Sequence, residues 1–260
     1  MTEKEMVQMI LDENLVPLEI FYQEMRDAGD NHLLSYRART FLRSPELGLL
    51  GPEEYGITAE RSMLAVSVFL WSLRQVCREI GKMQQNGMDV MSFITIPVPM
   101  KAIGTLDFAA TLKTAFEKEN FTFFNMICLE LPGQAVYEEL DVLHTLVTEL
   151  REMGVKVMIR NVGDANYPVA RLAGLGLDYA ILEDKLAAAF LDDDADRMAV
   201  MAMISYLKAI ETRILIPNVE RGDEPVRSRI ERAVCAGYVI TSTDGMSFSQ
   251  LLEQKLADEA

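Results

Sequence analysis

The chain has 260 residues, 50% of them apolar and 25% charged, with a formal net charge of −15 at pH 7. That is enough apolar matter for one large domain of about 250 residues, the size of an α/β barrel. The acidic balance disfavours non-specific nucleic-acid binding and docking on anionic membranes, both of which rest on Lys and Arg.

Taken in chain order, Leu18–Gln23 and Leu33–Leu42 read as short strands, preceded by an N-terminal extension over residues 1–17. A helix opens at Thr58 and runs to Met83, with apolar residues recurring at helical spacing (Met63, Val66, Phe69, Leu70, Leu73, Val76). Val90–Ile96 is a strand ending at a Pro-Val-Pro, followed by a helix over Thr105–Lys118 and a strand over Phe123–Leu131. Then come a helix over Val136–Met153 stopped by Gly154, a strand over Val155–Ile159 and a short helix over Pro168–Leu175. The remainder reads as strand Tyr179–Leu182, helix Asp194–Thr212, strand Arg213–Ile216, helix Pro225–Ala236, strand Tyr238–Thr241 and a terminal helix. The domain is expected over residues 18–252, with a tail over 253–260.

Alternating strands and helices at intervals of about 25–40 residues signal βαβ units and a parallel sheet. So many units with short connections favour an α/β fold closed as a (β/α)8 TIM-like barrel. No GxGxxG or GxxxxGK[ST] stretch offers a dinucleotide or P-loop alternative. Cys77, Cys128 and Cys235 are far apart in apolar surroundings, and His32 and His144 stand alone. The cysteines read as buried thiols in a reducing compartment, without zinc or redox spacing. The acidic N-terminal Met-Thr-Glu-Lys-Glu-Met is unlike a signal peptide, and no apolar window is long enough to span a bilayer. A cytoplasmic protein, bound to neither membrane nor nucleic acid, is the expectation.

Barrels of this kind do chemistry at the C-terminal ends of their strands. Those tips carry Glu130, Asp164, Glu183, Asp184 and Glu220, together with Arg160 and Asn161 in Ile-Arg-Asn-Val-Gly-Asp. Arg160 is expected either to pair with Glu130 or Glu183, or to hold an anion such as phosphate. Gly163-Asp-Ala-Asn-Tyr-Pro reads as a turn. The acidic run at 191–196 reads as a helix start rather than a calcium loop, because it lacks the glycine and terminal glutamate of an EF-hand.

Residues 35–55, Ser-Tyr-Arg-Ala-Arg-Thr-Phe-Leu-Arg-Ser-Pro-Glu-Leu-Gly-Leu-Leu-Gly-Pro-Glu-Glu-Tyr, resemble the segment bearing the name motif of the EAL cyclic di-GMP phosphodiesterases. Leu-Glu-Ile-Phe-Tyr-Gln ending at Gln23 looks like that family's first strand. Leu-Glu-Leu-Pro-Gly over 129–133 falls where Leu-Glu-x-Thr-Glu belongs, and residues 177–183 fall on the Lys-x-Asp strand. Residues 216–220 fall on Ala-Glu-Gly-Val-Glu. The shared order covers nearly the whole chain and implies an EAL-type barrel.

The resemblance carries the family's metal ligands and base over badly. The name-motif glutamate falls on Arg37, the asparagine of the following strand tip on Ile94, and the adjacent aspartates on Arg160 and Asn161. The lysine falls on Ile181, its aspartate on Glu183 and the base glutamate on Pro217. A loop-bracing glutamate falls on Gly133, a phosphate-holding arginine on Phe41 and a late glutamine on Ile240. Gln23, Glu130 and Glu220 remain. A guanidinium repels a divalent ion and offers it no lone pair. The expectation is therefore a degenerate phosphodiesterase with no catalytic residues, no metal site and no cofactor. It would act as a regulatory or protein-interaction module in bacterial signalling, through a protein partner or homodimer near residues 163–190, including Tyr167, Leu186 and Phe190. The alternatives are a non-hydrolysing receptor for cyclic di-GMP or another nucleotide and, less favoured, an active enzyme. Any ligand would meet the barrel mouth at Gln23, Arg37, Glu130, Arg160, Asn161, Glu183 and Glu220.

Overall fold

The computed structural model describes residues 18–44, 48–52, 63–85, 87, 92–104, 107–137, 140–164, 166–192, 197–219, 238–241 and 245–258. The expected helices at 225–236 and from Thr58 to residue 62, together with Glu220 and Cys235, lie outside them. Strands β1 (Leu18–Asp27) and β2 (Leu33–Ser44) form a hairpin in which Gln23 faces Arg37 across the ladder. A crossover to a parallel neighbour needs about a dozen residues, and the connection over 28–32 is too short for one. Instead, the Asp27 carboxylate accepts the Gly29 amide at 2.8 Å and Asn31 takes a left-handed backbone at φ 63°, which turns the chain back.

After the short β3 (Gly48–Leu50) come α1 (Met63–Gln85), β4 (Ile94–Pro97), α2 (Phe108–Lys118), β5 (Ile127–Leu131), α3 (Leu140–Glu152) and β6 (Lys156–Val162). The chain continues through β7 (Tyr179–Leu182), α4 (Asp184–Asp192), α5 (Arg197–Ala209), β8 (Arg213–Val219), β9 (Tyr238–Thr241), β10 (Met246–Ser247) and α6 (Phe248–Asp258). Strands β2, β4, β5, β6, β7, β8 and β9 lie side by side in that order, all parallel. Strand β1 closes the ring by pairing antiparallel with both β2 and β9. The expected closed barrel is present, with one strand reversed relative to an all-parallel (β/α)8 ring.

Side-chain alternation sorts each strand into two faces. The inner face carries an apolar plug of Met25, Leu34, Phe93, Cys128, Met158, Tyr179, Ile181, Leu215 and Ile240. Phe93 and Tyr179 meet with ring centroids 5.1 Å apart, while Lys156 and Arg213 stand over those rings at the N-terminal end of the barrel. The outer face supplies Ile94, Ile96, Ile127, Leu129, Val157, Ile159, Ala180, Ile214 and Ile216 to the larger core beneath the helices. Each large apolar side chain buried there contributes about 1.5–3 kcal/mol.

The long α1 buries Phe69, Leu73, Val76, Ile80 and Met83, as its spacing predicts, and polar contacts set its register on the sheet. Tyr22 donates to the Glu79 carboxylate, which also accepts from Gln75 Nε2 at 2.8 Å, and the Thr40 and Ser72 hydroxyls lie 2.6 Å apart. Burial pushes the Glu79 carboxyl up, against the two hydrogen bonds and Lys82, which pull it down. Burial likewise raises the Cys77 thiol to about 12, so Cys77 is an inert apolar filler, as is the fully buried Cys128.

Gly154 ends α3 with φ 86°, and the Val155 amide returns to the Leu150 carbonyl at 3.0 Å. The strand expected from Phe123 begins only at Ile127, because Phe124–Met126 form a single 3-10 turn. The helix expected from Val136 begins at Leu140 after another such turn, and Pro168–Leu175 shortens to Val169–Leu172. Helix α4 was not foreseen, since its alanines and single phenylalanine leave too short a periodic pattern. The terminal helix continues past residue 252 to Asp258. No helix among the described residues is long and apolar enough to cross a membrane.

Candidate functional site

Above the apolar plug, the inner face turns polar. Gln23 on β1, Arg37 on β2, Thr95 on β4, Glu130 on β5 and Arg160 on β6 occupy this layer. The register places Arg37 opposite both Gln23 and Thr95, and Glu130 opposite Pro97. Glu130 is completely buried. Arg37 grips it with both arms of its guanidinium: Nε donates to Oε2 at 2.9 Å and the second nitrogen to Oε1 at 2.6 Å. Arg160 Nε stands 4.0 Å from the same Oε1. Burial alone would raise the Glu130 carboxyl. Arg37, through charge and hydrogen bonds, then Arg160 and Arg39 outweigh it and hold the group below the usual carboxylate range.

Of the two partners considered for Arg160, the structure selects Glu130. The Glu183 carboxylate instead accepts the Leu186 amide at 3.0 Å, capping the first turn of α4. Asn161 is exposed and takes φ 59° inside a bulge between Ile159 and Val162. Asn218 repeats this at φ 61° between Ile216 and Val219, where its amide reaches Asp184 at 3.2 Å. Asparagine tolerates the left-handed conformation because its side chain bonds locally. These twin bulges bend the tips of β6 and β8 and were not foreseen. Asp164 sits in the expected turn, with its Oδ1 accepting from the Asn166 amide and side chain at 2.8 Å each.

Two expectations need correcting. Ile94 does not face the mouth. It packs in the outer core, and the inward residue at that level is Thr95, whose buried Oγ1 meets no hydrogen-bond partner among the described residues. Counting by twos from the inner Phe93 would have identified it. Phe190 cannot line a contact surface, because α4 buries it completely in the core. Tyr167 and Leu186 are half-buried over glycines, and Tyr167 meets Tyr137 edge-on at 5.8 Å. Glu220 lies outside the described residues, so its place at the mouth is not described.

Gly133, where the resemblance would put a glutamate, has no room for a side chain. A Cβ there would lie 2.6 Å from the Tyr167 ring and 2.9 Å from the Arg160 carbonyl oxygen. Gly133→Ala is expected to destabilise the domain by about 1–3 kcal/mol through overpacking, read from urea unfolding. Tyr167→Ala in the same background should recover part of that loss. Equal stability of Gly133→Ala and the parent would mean that the rim yields freely.

Among the described residues no three His, Cys, Asp or Glu side chains are grouped so as to hold a metal ion. A divalent cation brought to Glu130 would meet two guanidinium groups first, so the described side chains do not fit such an ion.

The EAL domain family matches this chain over residues 8–229. The cyclic di-GMP phosphodiesterase NbdA of Pseudomonas aeruginosa is 23% identical over 218 residues, which is 84% of this chain and 27% of that protein. The chain spans about a quarter to a third of the length of the curated relatives it matches, PdeR of Escherichia coli included. The PaMucR phosphodiesterase in complex with c-di-GMP superposes with a TM-score of 0.83 at 18% identity, covering 95% of this chain and 98% of that one. The FimX EAL domain from Pseudomonas aeruginosa bound to c-di-GMP superposes at 0.77 with 15% identity, covering 94% and 96%. These structures share the fold.

Proposed function

The chain belongs to the EAL domain family, and from that premise we propose that it is a catalytically inert member, acting as a regulatory, protein-binding module in cyclic di-GMP signalling. One observation carries the proposal: Glu130, the carboxylate that the resemblance keeps as a metal ligand, has both oxygens engaged by Arg37 with Arg160 beside them. Hard divalent cations want several oxygen ligands, largely anionic. At this mouth the neighbouring positions carry guanidinium groups, which have no lone pair to give. Pro217 stands where the resemblance puts the general base, and losing such a group costs about 10²–10⁴ in rate. The cyclic di-GMP context comes from the relatives, whose names state that activity.

A second reading, a receptor that holds cyclic di-GMP without cutting it, is favoured by one feature. The Arg37 and Arg160 side chains remain 21% and 22% exposed, within reach of an anion at the mouth. Calorimetric titration with cyclic di-GMP, with and without Mg²⁺ or Mn²⁺, together with chromatography of the products, tests both readings. The expected result is no linear dinucleotide and no metal-dependent heat. Metal-dependent hydrolysis would overturn the proposal, and saturable binding without cutting would replace the protein-binding module with the receptor.

A further inference from the structure

Helices α2 and α3 lie side by side on the outside of the barrel, with a groove of about 340 Å³ between the start of α2 and most of the length of α3. Its floor is apolar, made by Phe108 at the start of α2, Leu146 on α3 and Ile103 from the preceding turn. On α3, Val142, Thr145, Leu146 and Glu149, spaced i, i+3, i+4, i+7, line it together with Asp141 and Leu143. Val142 is 49% exposed, one of few large apolar side chains that the described surface leaves open. Among the described residues, every charged side chain lining the groove is acidic: Asp107, Asp141 and Glu149.

Two of these acids have a local reason to be there. Asp107 caps α2 by accepting the Ala110 amide at 2.9 Å, and Asp141 sits in the first turn of α3, where the helix dipole favours a carboxylate. Glu149, two turns further on, carries the acidic rim beyond the helix start, and half-exposed Val142 leaves an apolar side chain open beside it. An apolar floor with an acidic rim is complementary to a helix that is apolar on one face and basic along its edges.

We propose that the α2–α3 groove docks a basic amphipathic helix of a partner protein, with apolar anchors on the floor and lysine or arginine against Asp107, Asp141 and Glu149. This deepens the reading of the domain as a protein-binding module and gives that module a surface away from the barrel mouth. The chain's net charge of −15 and this rim repel nucleic acid and anionic lipid, and a basic protein segment is the occupant whose charge complements them. The rim is charged and solvent-exposed, so such a helix should be held weakly and with strong salt dependence.

The test uses a stapled helical peptide with leucines at i, i+3, i+4 and i+7 and lysines on both flanks, and a twin in which glutamate replaces every lysine. Binding to the full chain is read by fluorescence anisotropy at low and high salt. The basic peptide is expected to bind saturably and to weaken as salt rises, while the acidic twin does not bind. Asp141→Lys with Glu149→Lys, and separately Val142→Ser, should each lower the affinity by about tenfold or more. Glu253→Lys, on the terminal helix, is the control for charge reversal outside the groove and should leave it unchanged. No saturable binding, equal binding of the twins, or groove variants that bind like the control would each overturn the proposal. These outcomes are separate from the hydrolysis assay: metal-dependent cleavage of cyclic di-GMP refutes the inert domain and says nothing against the groove.

Discussion

Arg37→Met is expected to destabilise the domain by about 3–5 kcal/mol at neutral pH, because it leaves a carboxylate in the barrel interior without its bidentate partner. Glu130 has no exposed surface, so water cannot take over from the guanidinium. Arg160, at 4.0 Å, offsets part of the loss and places the value toward the lower end of that range. The Arg37→Met, Glu130→Met double variant should recover most of the stability, since a buried ion pair is often no better than apolar side chains of similar volume.

The loss should also depend on pH, with a defined sign. In the parent, Glu130 is held below its ordinary value. Its contribution is therefore present above the unfolded value of about 4.3 and lost as pH falls toward the folded one. Without Arg37, burial dominates and the folded value moves above the unfolded one, so the variant loses stability as pH rises. The gap between parent and variant should be widest near neutrality and should narrow in acid. Urea unfolding of both proteins near neutrality and near pH ~4.3 reads it. A gap below about 1 kcal/mol at neutral pH would mean that the pair does not hold the barrel mouth.

The second large effect concerns metal. Adding Mn²⁺ should leave the melting temperature of the parent unchanged, because Arg37 occupies the carboxylate and Arg160 adds repulsion. Arg37→Glu, Arg160→Asp and Asn161→Asp together should reverse this. The variant is expected to melt lower than the parent without metal, since carboxylates now crowd Glu130. Metal at about 100 times its dissociation constant would return about 2.7 kcal/mol. For a domain of this size that is a rise of roughly 5–10 °C. No turnover of cyclic di-GMP is expected from the variant, with Pro217 still at the position where the resemblance puts the base. A parent protein whose melting temperature climbs by several degrees in Mn²⁺ would refute the inert site. A variant indifferent to metal would show that these three positions are not what excludes the ion.

The patterning of this chain was enough to identify a closed barrel and its long first helix, because inner and outer strand faces and the stripe of α1 are written in residue type. The turn at residues 163–168 and the stop at Gly154 were legible for the same local reason. Short helix α4, the 3-10 turns before β5 and α3, and the bulges at Asn161 and Asn218 were not, since a few residues carry no period. At the site, the residue types pointed to arginines around one glutamate, and the structure places Arg37 and Arg160 beside Glu130.

Which arginine grips Glu130, that Glu183 caps a helix and that Phe190 is core were decided only in three dimensions. The reason is physical. Local sequence determines hydrogen bonds and faces within a few residues, whereas Arg37 and Glu130 are 93 residues apart and meet only because the closed ring brings β2 and β5 to one mouth.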